Sequence, residues 1–169
     1  MVRANSLLSP CNLSPSQLVF TIEMINQFLE GQYPNASGKS IGEIYGYTDQ
    51  QIETDHTFIQ WLFPTDEPSR SVPNSPVLRP NDVVLIKESE VAQANLKKSA
   101  DWYLGFLIRN NHWVKRYDHN HLRITRVIKS LRLLVNDEVA DSFRTALYNV
   151  LDADRVIIPE ATRQFWDLA

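Results

Sequence analysis

The chain has 169 residues, 43% of them hydrophobic and 22% charged, with a net charge of −3. That is enough to bury the core of one domain, and its balance is ordinary for a globular protein. The negative charge argues against a whole-surface nucleic-acid binder, and the single cysteine, Cys11, excludes an intramolecular disulfide or a cysteine zinc site.

No run approaches the ~18 apolar residues of a membrane span, and the N-terminus lacks the apolar stretch of a secretory signal. These features leave peripheral membrane association open and point to a reducing, cytoplasmic compartment.

Residues 1–13 read as a flexible lead-in to a single helical domain over 14–169. Ser14, Pro15 and Gln17 open a helix with a capping box and a proline at its first position. Leu18, Ile22, Ile25 and Leu29 give it one apolar face, and Gly31 is its natural stop. Residues 32–39 form a polar loop. Ser40 and Glu43 frame a short helix to about Tyr45. Thr48 and Gln51 make another capping box, and the helix it starts is predicted to run to Phe63, ahead of Pro64. Such a helix would carry Ile52, His56, Ile59 and Phe63 on one side and Phe58 and Trp61 on the other. A helix apolar on two sides is buried between neighbours.

Pro64, Pro68, Pro73, Pro76 and Pro80 mark a stiff connector pinned to the surface. Asp82–Lys87 has strand propensity, but it is short and lacks a partner, so it is assigned to a helix. Ser89 starts a long helix to about Arg109, with Ala92, Leu96, Tyr103, Phe106 and Leu107 on one face. After a loop over 110–118, a helix from about Asn120 to Leu134 carries Ile124, Val127, Ile128, Leu131 and Val135 on one face. Arg123, Arg126, Lys129 and Arg132 cover its other face. Asn136 caps a helix over Asp137–Leu151, whose inner face is Ala140, Phe143, Leu147 and Val150. Pro159 opens a last helix with Phe165 and Trp166. About seven helices without a convincing strand pair predict an all-α bundle.

Several short matches carry no chemistry. Gly38-Lys39-Ser40 resembles the end of a phosphate-binding loop, but the earlier glycine is replaced by Tyr33 and no strand precedes it. His119-Asn120-His121 spells a nuclease motif without its ββα-metal frame. The acceptor sequons at Asn12 and Asn35 matter only in a secreted protein.

Two stretches mix apolar bulk with polar groups that need partners when buried. The first reads His56, Ile59, Gln60, Trp61, Leu62, Phe63, Pro64, followed by Glu67-Pro68. The second reads His119, Asn120, Leu122, Arg123, Ile124, Thr125, Arg126, Val127, Ser130, Leu131. In this order and spacing they resemble the two conserved motifs of the opioid growth factor receptor family, with Val127 in place of an isoleucine. The resemblance covers roughly residues 41–168 and is similar to stand-alone microbial members. Vertebrate members are described as nuclear-envelope-associated receptors for a peptide, met-enkephalin, without transmembrane helices. The resemblance therefore implies peptide binding but assigns no catalytic residue and no cofactor.

The candidate ligand-binding residues are His56, Gln60, Trp61, His119, Asn120, His121, Arg123 and Arg126. Cations crowd the first turns of the second-motif helix, against the helix dipole, and a broken local rule often serves a site. Free N–H groups with Arg and His suit an anion, such as a phosphate or a peptide carboxylate. Alternatively, the arginines pair with internal acids such as Asp55, Asp66 or Glu67. His56 on an apolar helix face reads as a buried, hydrogen-bonded histidine. His112, His119 and His121 lie close in sequence, yet no carboxylate completes a metal-ligand spacing, so no metal is expected. The alternative is a small hydrolase- or transferase-like enzyme, with acid–base chemistry by His56 and His121 and Arg123 as anion holder, although no nucleophile motif accompanies them. The basic arc from Arg123 to Arg132 could touch nucleic acid but lacks stacking aromatics. The preferred reading is a binding module for a peptide or small anionic ligand.

Overall fold

The computed structural model describes residues 25–151 and 157–169. The expected start of the first helix at Ser14 and the lead-in before it lie outside those residues. The end of that helix, residues 25–29 (α1), closes as expected at Gly31. Gly31 adopts φ +77°, and the Gln32 and Gly31 N–H groups donate to the Gln27 and Phe28 carbonyls, a Schellman ending.

Eight more α-helices follow among the described residues: α2 (Ile41–Tyr45), α3 (Asp49–Thr54), α4 (Phe58–Leu62), α5 (Pro80–Glu88), α6 (Glu90–Arg109), α7 (His119–Leu134), α8 (Asp137–Leu151) and α9 (Glu160–Leu168). A 3₁₀ turn occupies Asn111–Trp113. The protein is all-α, and its buried apolar residues form one cluster.

Both expected capping boxes are present, Ser40 with Glu43 and Thr48 with Gln51. Asp82–Lys87 is helical within α5. Pro80 sits in its first turn, and the Asp82 carboxylate reaches back to the Arg79 N–H at 2.7 Å. The proline connector is tied down by a bridge between Thr65 and Val77, with the Leu78 N–H on the Thr65 carbonyl.

The continuous helix expected over 49–63 is instead two helices, broken at Asp55–Thr57. The Asp55 Oδ1 accepts from the Thr57 N–H and hydroxyl, both at 2.7 Å, and Oδ2 accepts from the Tyr47 hydroxyl at 3.0 Å. This side-chain turn competes with the helix. The break takes His56 off any apolar face: it is exposed, not buried as the helical register implied.

Helix α7 packs against α5, α6, α8 and α9. Its Ile124, Val127, Ile128 and Leu131 are fully buried among Tyr103, Phe106 and Leu147 of the same core. All five residues of α4 are buried. Trp61 meets the Phe28 ring edge-on, 5.4 Å between centroids. Trp166 is buried while its neighbour Phe165 is exposed.

Candidate functional site

The two motifs meet through the backbone carbonyls that the broken helices leave unpaired. Three residues of one α7 face, Arg123, Arg126 and Ser130, run along that row. Arg123 Nη1 donates to the Ile52 carbonyl at 2.8 Å, and Nη2 donates to the Asp55 carbonyl at 2.8 Å and the Glu53 carbonyl at 3.3 Å. Arg126 Nη1 donates to the Phe63 carbonyl at 3.1 Å, and the Ser130 hydroxyl donates to the Pro64 carbonyl at 2.8 Å. The Arg-x-x-Arg-x-x-x-Ser spacing is therefore a lace that stitches α3 and α4 onto α7.

Beside this seam lies a cleft of about 210 Å³. His56, Ile59 and Gln60 form one wall, and His119, Leu122, Arg123 and Arg126 the other. Ser69, Ser71 and Val72 of the proline connector close it.

The two arginines in the cleft differ. Arg123 is 5% exposed and stacks its guanidinium over the Phe58 ring, 5.3 Å from the centroid. Beyond its three carbonyls it reaches Asn120 Oδ1 at 3.2 Å and His56 Nδ1 at 3.3 Å. Its donors are held inside the protein, by carbonyls rather than by the carboxylates the sequence suggested. An arginine can only donate, so His56 Nδ1 accepts and the ring proton belongs on Nε2.

Arg126 donates to one carbonyl, and no carboxylate of the described residues lies within ion-pair distance of it. Burial pulls its pKa below the ordinary value, against the pull of the Glu67 carboxylate, which is itself bridged to Lys129 at 2.9 Å.

Gln60 is buried. In the amide orientation that satisfies both partners, its nitrogen donates to the His56 and Thr57 carbonyls at 2.8 and 3.0 Å. It shapes the turn that presents His56. His56 and His119 meet edge to face, 5.6 Å between ring centroids.

Three sequence candidates lie elsewhere. Trp61 belongs to the core. Asn120 is fully buried, taking the Tyr103 hydroxyl at 2.9 Å and donating to Glu53 Oε2 at 3.1 Å. His121 sits between Trp113 and Trp166, with Nε2 2.9 Å from the Trp113 carbonyl. Burial holds its imidazole below the ordinary pKa. It lines a different groove from His56, so the His56–His121 acid–base pair is not assembled.

The dipole conflict at the start of α7 is answered by Asp118. Its Oδ1 accepts from the Asn120 N–H at 2.8 Å, placing a carboxylate at the N-cap. A residue of N-cap type directly before the helix was visible in the sequence. Ser69 and Ser71 were not, because their place depends on the fold of the connector. The last two cations of the α7 arc are ion-paired, Lys129 with Glu67 and Arg132 with Asp137 and Asp141.

A family model for the opioid growth factor receptor conserved region matches residues 35–151, which hold both motifs and α2 through α8. The chain belongs to this family. It is 34% identical to the human opioid growth factor receptor over 47% of this chain and 14% of that protein. It is 33% identical to the mouse protein over 47% of this chain and 15% of that one. The chain thus matches only about one-seventh of the length of these curated relatives. No solved structure matches it. Among the described residues, no helix of this family member is long and apolar enough to cross a membrane.

Proposed function

We propose that the cleft beside Arg126 recognises an acidic end group and that the domain works as a binding module. The observation that carries this reading is the Arg126 guanidinium, desolvated in the cleft wall with one carbonyl partner and no ion-paired carboxylate among the described residues. Arg126 is half-buried, and a partly desolvated cation without an acid gains from a ligand that pairs with it. The Ser69 and Ser71 hydroxyls and the His56 ring supply neutral donors around it, and Ile59, Val72 and Leu122 supply an apolar collar.

The volume sets the ligand's size. Sites for drug-sized molecules occupy roughly 300–1,000 Å³. A cleft of about 210 Å³ suits a carboxylate or phosphate with a short apolar stem. The curated relatives are named as growth factor receptors, which favours the terminus of a peptide over a free metabolite. A cytoplasmic or nuclear-side location fits a chain with one cysteine.

The test is calorimetric titration with inorganic phosphate and with a short peptide ending in an apolar residue, as the free acid and as the amide. Saturable binding of the free acid, competed by phosphate and weakened at least tenfold by amidation, is expected. Equal binding of acid and amide, or no binding of either, refutes the acidic-group reading.

A further inference from the structure

Next to the cleft, at His119, three side chains from separate parts of the chain converge. Glu53 comes from α3, His112 from the 3₁₀ turn and His119 from the first residue of α7. His112 Nε2 lies 3.1 Å and His119 Nε2 lies 3.3 Å from the same atom, Glu53 Oε1. All three side chains are partly exposed, so an ion can reach them from solvent.

We propose that Glu53, His112 and His119 form a binding site for a divalent transition metal of the zinc type. Bonds of about 2.0–2.1 Å in a tetrahedral zinc shell put neighbouring ligand atoms ~3.3 Å apart, the spacing both histidines already keep from Glu53. Two imidazoles and one carboxylate favour Zn²⁺, Co²⁺ or Ni²⁺ and disfavour Mg²⁺ and Ca²⁺, which need oxygen shells. Three protein ligands leave a fourth position for water.

The surroundings are those of a metal site's supporting layer. Asn120 holds the other Glu53 oxygen, and Asn120 is itself fixed by the Tyr103 hydroxyl and Arg123. Asp118 Oδ1 faces His119 Nδ1 at 3.8 Å, the side of the ring away from Glu53. A carboxylate behind a metal-bound histidine orients the ring and raises its basicity. Among the described residues, the triad whose ligand atoms all lie within 4.8 Å of one another is Glu53, Asp118 and His119; His112 reaches Glu53 from outside that triad, so a bound ion has to draw its ring toward His119. The Lys115 ammonium, on Asp118 Oδ2 at 2.9 Å, makes Asp118 a poor direct ligand and leaves it this orienting role.

No short sequence spacing announces the site, because Glu53 is 59 positions before His112 (112 − 53) and 66 before His119 (119 − 53). The sequence grouped His121 with the other two histidines, but His121 turns into the Trp113–Trp166 box.

The experiment is titration of chelator-treated protein with ZnCl₂ by calorimetry and with CoCl₂ by visible absorption, in a non-coordinating buffer with a millimolar excess of Mg²⁺. One equivalent of Zn²⁺ should bind saturably, and Co²⁺ should give the intense d–d bands of a four-coordinate site. Glu53→Gln and His112→Ala should each weaken Zn²⁺ at least tenfold, while His121→Ala should not. Absence of stoichiometric binding, a six-coordinate cobalt spectrum, or unchanged affinity in both ligand variants overturns the proposal. If a variant does not fold, the wild-type cobalt spectrum still decides. Neither Glu53 nor His112 lines the arginine cleft, so loss of metal with retained phosphate binding separates this site from the binding function above.

Discussion

Arg123 and Arg126 stand three residues apart on α7, and the regions around them differ in kind. Around Arg123 the guanidinium meets three carbonyls, an amide oxygen, an imidazole nitrogen and an aromatic face. Around Arg126 there is one carbonyl and an open cleft. The same residue type on the same helix closes the fold in one place and leaves charge available in the other. The lesson is that a cationic cluster is read donor by donor. A guanidinium whose donors are met inside the fold is accounted for by stability, and one with donors left over is where the proposed recognition is sought.

That contrast can be broken most forcefully at the core beneath it. Trp61→Ala should cost about 3–5 kcal/mol, the usual range for a buried aromatic, measured by urea unfolding. A loss under about 1 kcal/mol would show that Trp61 is a surface contact. Next comes Arg123→Ala. It leaves the Ile52, Glu53 and Asp55 carbonyls without their donor, at about 1–3 kcal/mol for a stranded buried group, so a total near 3 kcal/mol is expected. Arg123→Lys should recover little of it, since one ammonium cannot span three carbonyls. Full recovery by lysine would contradict the fork geometry.

A double-mutant cycle on Asn120 and Arg123 sharpens the comparison, because the two share the bond from Nη1 to Oδ1. A coupling above about 0.5 kcal/mol is expected, and additivity would mean that Asn120 does not support the arginine. The smallest effect belongs to the rim. Lys129 holds the Glu67 carboxylate below its ordinary pKa by a direct hydrogen bond. A carboxylate depressed in the folded state adds stability above its ordinary value, and that contribution is lost as pH falls through the folded value. Lys129→Ala should therefore change stability by no more than a few tenths of a kcal/mol at pH 7, and the difference from wild type should vanish at acid pH. A larger gap at pH 3 than at pH 7 would reverse the sign of this argument.

Much of the fold was legible in local signals. Ser40 with Glu43, Thr48 with Gln51, Ser89 and Asn136 all mark helix starts that the structure keeps. The apolar faces of α6, α7 and α8 follow the 3.6-residue period. What escaped was the break at Asp55, because a carboxylate that caps its own turn looks the same in sequence as one on a helix surface. That single break moved His56 into solvent and exposed the carbonyls that Arg123 takes. The meeting of the two motifs was legible from their shared mixture of apolar and polar residues. Which arginine faces outward was not, since it depends on how many carbonyls the break releases. Glu53 escaped for a related reason: it is an ordinary helical glutamate until α7 and the 3₁₀ turn bring two histidines to it.

The division of labour between the two arginines is tested most directly by thermal unfolding of wild type, Arg126→Ala and Arg126→Lys across a phosphate titration. Binding to the folded state alone raises stability by about 2.7 kcal/mol at a hundredfold excess over Kd. The wild type should show a saturable rise in Tm and Arg126→Lys a reduced one. Arg126→Ala should show none, while keeping its helical circular dichroism and losing at most about 1 kcal/mol without phosphate. A phosphate response that survives intact in Arg126→Ala, or a wild type that does not respond, would contradict the assignment of this cleft to an acidic ligand.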